Sequence, residues 1–324
     1  MITKARINMT DSFGRKIEYL RLSVTKRCPL RCVYCTDEAE RDETELSASG
    51  IEKIVRAFAA LGITKVRLTG GEPLMRSDIA EIAGRISRTP GISKLVLTTN
   101  GVMLKKYAKQ LVENGVSAVN VSLDTLDREK YKALTGCDCL MDVLDGIEEA
   151  QKCGMSHIRI NSVLIRGLND GDAVSLIRLA KERKIDVRFI ELMPFSDTGE
   201  NERLMIKGEE ILERFPFLKP IPTKKPDGEK SVAKYYTADG FRGRIGFINP
   251  ISEQFCSDCN RIRVLSDGKI RPCLGSDTEI DISDSIDDEE KLIEKVRKAI
   301  LSKPKGHSFS CGYAGFHGLD KIGG

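Results

Sequence analysis

The chain has 324 residues, 40% hydrophobic and 31% charged, enough to bury one large core with or without a smaller annex. A net charge of +4 does not mark a nucleic-acid or membrane surface, although it permits a local anion pocket. Three histidines, at 157, 307 and 317, leave little for a His-rich metal centre or a Ser-His-Asp centre. The stretch "MITKARINMTDSFGRK" lacks the apolar core of a signal peptide, and no long apolar run follows it. The expectation is a cytoplasmic protein with reduced thiols, so its ten cysteines are read as metal ligands where they cluster.

From Glu18 to about Leu192, short apolar strands alternate with helical stretches. The strands are "EYLRLSV" (18–24), "KVRLTG" (65–70), "KLVLTTN" (94–100), "AVNVSL" (118–123), "HIRINSVLI" (157–165) and "DVRFIEL" (186–192). Amphipathic helices are predicted near 48–61, 78–88, 102–114, 141–153 and 171–184, three of them ended by Gly62, Gly115 and Gly154. This alternation predicts an α/β fold with a parallel sheet and right-handed crossovers, either doubly wound or an incomplete barrel. After Phe195 the texture changes. "FPFLKPIPTKKPDGEK" (215–230) reads as a connector. "VAKYYTADGFRGRIGFIN" and "RIRVLSDGKIRPCL" read as hairpins. "ISDSIDDEEKLIEKVRKAILSK" reads as a capped helix with an acidic start and a basic end. A first region over 1–194 and a second over 195–324 are expected.

Four strands carry arginine between apolar neighbours: Arg21, Arg67, Arg159 and Arg188. Side chains alternate along a strand, so apolar flanks that pack outward on helices send the arginines into the lumen. Taken singly, each is expected to pair with a lumenal carboxylate, for which Glu72, Asp124 and Glu191 are available. Taken together they predict an anion site, and a triphosphate suits several guanidinium forks.

Cys28, Cys32 and Cys35 follow the first strand with spacing C-x3-C-x2-C. In a barrel this is the C-terminal mouth, where active sites sit. A structural zinc takes four protein ligands. A [4Fe–4S] cluster held by three cysteines keeps one iron open for another ligand. The alternative is a zinc loop completed by a distant cysteine. Cys256, Cys259 and Cys273 form a second trio, on a knuckle and the returning strand of a hairpin. Zinc rivals a cluster there too; beside the first trio, a second open cluster is the better reading. Cys137, Cys139, Cys153 and Cys311 match no set. Cys137 and Cys139 can form an opportunistic pair, and none of the four is given a role.

The first trio, Tyr34 before its last cysteine, and "TGGEPLM" after the second strand resemble the radical S-adenosylmethionine superfamily. "LRLSVTKRC", "TGGEPLMR", "LTTNG", "VNVSLD", "RFIELM", "CSDCNRIRVLSDGKIRPCL" and the terminal "GG" further resemble the GTP 3′,8-cyclase family of molybdenum cofactor biosynthesis, over nearly the whole chain. The resemblance implies an incomplete (β/α)6 TIM-like barrel closed by a C-terminal α+β region. It implies two [4Fe–4S] clusters, one on each trio, with S-adenosylmethionine chelated at the first and guanine facing the second. Gly71 and its neighbour Gly70, Ser122, Tyr34 and Met193 would bind the cosubstrate. Arg21, Arg67, Thr98, Arg159, Arg261 and Arg263 would contact GTP, while Arg188 stays with the paired reading. A 5′-deoxyadenosyl radical would take hydrogen from C3′ of GTP, and the carbon radical would attack C8. Arg261, Arg263, Gly323 and Gly324 would assist that step. A reducing electron donor and a downstream cyclic pyranopterin monophosphate synthase are the implied partners, with no nucleic acid and no membrane. Whether the chain is a monomer or a homodimer stays open.

Two positions depart from the family. Arg159 stands where lysine is common, which changes the phosphate contact. "TDEAERDETELS" after Cys35 differs from the usual loop over the first cluster. Two rivals remain: another two-cluster radical enzyme such as a peptide maturase, and a zinc-stapled binding module without catalysis.

Overall fold

The computed structural model describes residues 9–35, 45–193, 201–222, 232–307 and 309. Six strands run in chain order: β1 Tyr19–Ser23, β2 Lys65–Thr69, β3 Lys94–Thr99, β4 Val116–Ser122, β5 His157–Val163 and β6 Asp186–Ile190. Each pairs in parallel with the next. Helices α1 Ala48–Ala60, α2 Ile79–Ser87, α3 Leu104–Glu113, α4 Arg128–Thr135, α5 Leu140–Lys152 and α6 Ala173–Glu182 make the crossovers. Local chemistry sets their ends. The Ser47 side chain accepts from Gly50 N to start α1, and Asp127 accepts from Lys130 N to start α4. Gly62, Gly115 and Gly154 take positive φ just after α1, α3 and α5, as a helix-ending glycine should. The core lies between sheet and helices. Leu20, Leu22, Val66, Leu68, Ile160 and Val187 are buried on the outer face, with α1 residues such as Ile51, Ile54 and Phe58 in the same cluster. Each such side chain contributes roughly 1.5–3 kcal/mol of burial.

Beyond residue 200 the strands are β7 Lys219–Pro220, β8 Lys234–Thr237, β9 Ile245–Ile248, β10 Arg261–Val264, β11 Lys269–Arg271 and β12 Ile280–Asp281. The helices are α7 Asn201–Leu204, α8 Gly208–Arg214 and α9 Glu289–Leu301. The expected hairpins form as β8–β9 and β10–β11. They continue the barrel sheet, one at each edge: β9 pairs in parallel with β6, and β10 in parallel with β1. The result is an open twelve-stranded sheet whose eight central strands are all parallel. Two buried polar anchors lock the later segment on. Glu191 accepts from Ile251 N at 3.0 Å, Ser252 N at 3.1 Å and the Ser252 hydroxyl. Arg15, ion-paired to Asp11 at 2.6 Å, donates to the carbonyls of Cys256, Pro304 and Lys305. Among the described residues no helix is long and apolar enough to cross a membrane.

Candidate active site

The parallel register of β1 and β10 decides where the cysteines meet. Tyr19 stands opposite Arg261 and Arg21 opposite Arg263. Cys28 follows the C-terminal end of β1, whereas Cys259 precedes the N-terminal end of β10. The antiparallel β11 returns Cys273 to that same lower end. The triads therefore sit at opposite ends of one lumen. A single cavity of about 410 Å³ is lined by all six cysteines. Arg21, Arg67, Arg159, Arg188, Arg261 and Arg263 also line it, with Thr98, Tyr34, Gly71, Ser122 and Met193. Every candidate site residue within the described part of the chain is thus brought together. Gly323 and Gly324, like Cys311, lie outside the described residues.

The upper end is shaped by the cysteine loop. Gly71 N donates to Thr25 O at 2.8 Å and Glu72 N to Arg27 O at 2.7 Å. A side chain at Gly71 would press within 2.6 Å of the carbonyls of Lys26 and Arg27. Glycine is needed here so that the cysteine loop can lie on the "GGE" turn. The Tyr34 hydroxyl donates to Asp124 at 2.5 Å, and Asn100 Nδ2 reaches Cys28 Sγ at 3.8 Å. Burial pushes the Cys32 thiol up, and Cys35, Asp124 and Cys28 add to it. Three thiols crowded in this way become good thiolates only beside a cationic centre, which fits a cluster.

At the lower end burial also raises Cys259, but Arg261 and Lys303 outweigh it and bring the thiol to about 6. Lys303 is buried and donates to Pro272 O at 2.8 Å. Cys259 is thereby favoured as a thiolate ligand. Cys256, Cys259 and Cys273 are all partly accessible and free. Among the described residues no three Cys, His, Asp or Glu side chains converge on the point a single ion would occupy.

The pairing of arginines with Glu72, Asp124 and Glu191 is overturned. Glu72 is fully buried and accepts from Leu74 N, Asn100 N and the Thr99 hydroxyl. Asp124 accepts from Tyr34 and Val163 N, and Glu191 from residues 251 and 252. All three lie just beyond their strands' ends, where backbone N–H groups capture them; the arginines sit lower, within the strands. Arg188, expected to be paired, keeps Nε and Nη2 buried with no hydrogen-bond partner among the described residues. Burial is the main cause that lowers it, to about 10. Arg263 is likewise lowered to about 10, by burial first and then by Arg261. Buried Asn120 Oδ1 and Asn161 Oδ1, in the cavity wall, also have no hydrogen-bond partner among the described residues. Buried polar atoms of this kind suit a polar ligand.

The sequence reading missed Tyr19, Lys65, Lys94 and Lys303 in this wall. Tyr19 shares the lumenal face with Arg21 two residues on, so strand alternation extended by one step would have found it. Its hydroxyl accepts from Arg67 Nε, and the Lys65 ammonium lies 4.4 Å from its ring centroid. Arg67 is steadied from the other side by Thr98 Oγ1 at 2.9 Å. The described C-x-C pair, Cys137 and Cys139, is joined as a disulfide where α5 begins.

Comparisons with known proteins agree with this geometry. The model of the radical SAM superfamily matches residues 22–180, and that of Molybdenum Cofactor Synthesis C matches 185–309. A GTP 3′,8-cyclase of Alkaliphilus oremlandii is 45% identical over 305 residues, covering 92% of this chain and 94% of the relative. One from Peptoclostridium acidaminophilum is 40% identical and covers 98% of each chain. The crystal structure of Streptococcus suis SuiB bound to S-adenosylmethionine matches with a TM-score of 0.60 at 17% identity, over 90% of this chain and 73% of that one, a likeness of fold. With relatives this similar along almost its whole length, and with the radical SAM barrel built as that family requires, the chain belongs to the GTP 3′,8-cyclase family of the radical SAM superfamily.

Proposed function

We propose that this chain converts GTP to (8S)-3′,8-cyclo-7,8-dihydroguanosine 5′-triphosphate for molybdenum cofactor synthesis. The observation that carries the reading is the single cavity, with a thiol triad at each end and guanidinium groups between. Cys28, Cys32 and Cys35 would hold a [4Fe–4S] cluster, which would supply the electron for reductive cleavage of S-adenosylmethionine and so for hydrogen abstraction from C3′. Cys256, Cys259 and Cys273 would hold a second [4Fe–4S] cluster at the lower end of the lumen.

The rest of the work belongs to the chain. Gly71, Ser122, Tyr34 and Met193 hold the cosubstrate at the upper end. Arg21, Arg67, Arg159, Arg261 and Arg263, with Thr98, hold GTP, and Arg188 joins them because its buried nitrogens need an acceptor. Fixing sugar and base in a water-poor lumen brings C3′ within bonding reach of C8. One electron and one proton complete the product. Gly323 and Gly324 assist the closure, so deleting them stops product but not radical formation. A reducing electron donor and a cyclic pyranopterin monophosphate synthase flank the reaction. The thiol chemistry suits the reducing cytoplasm.

GTP should raise the melting temperature of the anaerobically reconstituted protein, by mass action on the folded state. Cys28→Ala should abolish 5′-deoxyadenosine formation. No thermal shift with GTP far above micromolar would count against the reading.

A further inference from the structure

The segment that follows α9 runs across the lower thiol triad. Lys303 is 3% exposed and sits in the cavity wall with Cys256, Cys259 and Cys273. Its Nζ donates at 2.8 Å to Pro272 O, in the peptide link that leads into Cys273. Three residues on, Gly306 lies against Cys256, where an added carbon would sit 3.9 Å from the Sγ. Buried Arg15 holds the segment down. It donates to Pro304 O at 2.6 Å, Lys305 O at 3.0 Å and Cys256 O at 2.8 Å, while Asp11 neutralises it. Lys303 has no carboxylate of this kind among the described residues. Burial lowers its pKa from the ordinary value, and the groups that oppose this are Cys259 and Cys273. Asp258, in the knuckle between the first two cysteines, is exposed. An ammonium has three N–H donors, and Pro272 uses one of those on Lys303.

We infer that Lys303 is a positioning residue for the lower triad: a fixed buried ammonium that balances the thiolates and raises the reduction potential of a [4Fe–4S] cluster held on them. The inference rests on the reading that such a cluster occupies this triad. Three thiolates on an oxidised cluster core leave a net negative charge, and one-electron reduction adds another unit. A cation buried beside that charge favours the reduced form. The N–H groups not used on Pro272 suit the cluster sulfurs, and hydrogen bonds to sulfur act in the same direction. Arg261 also acts on Cys259, but the proposed function gives it to GTP as well. Lys303 is anchored from behind through Pro272, so its charge stays with the triad whether or not nucleotide is bound. The redox step is the gain of one electron from added dithionite; no bond forms or breaks and no proton moves.

The test is a potentiometric titration followed by electron paramagnetic resonance. It uses the reconstituted full chain carrying Cys28→Ala, Cys32→Ala and Cys35→Ala, so that only the lower site loads, with about four irons per chain. Lys303→Gln in this parent keeps an N–H for Pro272 and removes the charge. Its one-electron reduction should be at least tenfold less favourable, a downward shift of about 59 mV or more. Lys303→Arg should restore a potential close to the parent's. A full iron complement with an unchanged potential in Lys303→Gln would overturn the inference. Should Lys303→Gln hold no iron, Lys303→Arg decides. A loaded cluster at the parent potential supports the role of charge, whereas iron lost from both variants would make Lys303 a packing group and overturn it. A parent chain without iron would remove the second cluster itself, and the inference with it.

Discussion

Arg21 on β1 stands directly opposite Arg263 on β10, in a parallel register that runs from Tyr19 to Leu22. Two guanidinium groups far apart in sequence are thus fixed side by side in a buried wall. Burial lowers Arg21 well below its ordinary value, and Arg263 adds to the effect. On the proposed function, a bound polyanion offsets this cost.

Replacing one of the two cations should therefore separate stability from binding. Arg21→Met should raise the melting temperature of the nucleotide-free protein by about 2–4 °C, the equivalent of roughly 1 kcal/mol. It should weaken GTP binding about tenfold or more, the worth of one lost charge-assisted contact. Melting curves and calorimetry check the two halves, and a lower melting temperature with unchanged affinity would count against the anion-site reading.

Gly71→Ala should disturb the first triad without touching a cysteine. The added carbon would lie within 2.6 Å of two carbonyls of the cysteine loop, which has to move. A loss of about 1–3 kcal/mol in urea unfolding is expected, typical of overpacking against backbone. Iron content at the upper site should fall with it. Full iron loading would mean that the loop can shift freely.

Cys259→Ala isolates the lower triad. Iron should drop from about eight to about four atoms per chain, because each cluster carries four. S-adenosylmethionine cleavage should continue while the cyclised nucleotide disappears. Iron left at its full value would mean that this triad holds no cluster.

Glu72 gives a pH signature. Burial raises it to about 7, from 4.5, against its Asn100, Leu74 and Thr99 donors. The native state then keeps its proton longer than the unfolded state. Its stabilising contribution is complete below 4.5 and is lost as pH rises to about 7, on the order of 3 kcal/mol in all. Urea midpoints of wild type should fall across this window, and Glu72→Gln should flatten much of the fall. Asp124, raised by burial to about 6, leaves a residual slope of the same sign. An identical slope in the variant would contradict the assignment.

The barrel was legible because its signals are local. Strand alternation placed Arg21, Arg67, Arg159 and Arg188 on one face, and cysteine spacing marked both triads. The helix α4 escaped notice because it is short and polar, with little but Tyr131 and Leu134 to bury. The mispairing of the arginines has a different cause. Alternation reports the face of a side chain, not its height along the barrel. Glu72, Asp124 and Glu191 belong to the strand ends, where backbone N–H groups bind them. The attachment of β9 and β10 to opposite edges of the sheet depends on contacts between distant residues. No local pattern encodes which edge a hairpin will choose.

The most direct test is anaerobic incubation of the reconstituted protein with GTP, S-adenosylmethionine and dithionite, followed by mass spectrometry of the nucleotides. A lumen that holds GTP between two open iron sites predicts 5′-deoxyadenosine together with a nucleotide of unchanged mass in which C3′ is bonded to C8. Formation of 5′-deoxyadenosine with all GTP recovered intact would contradict it.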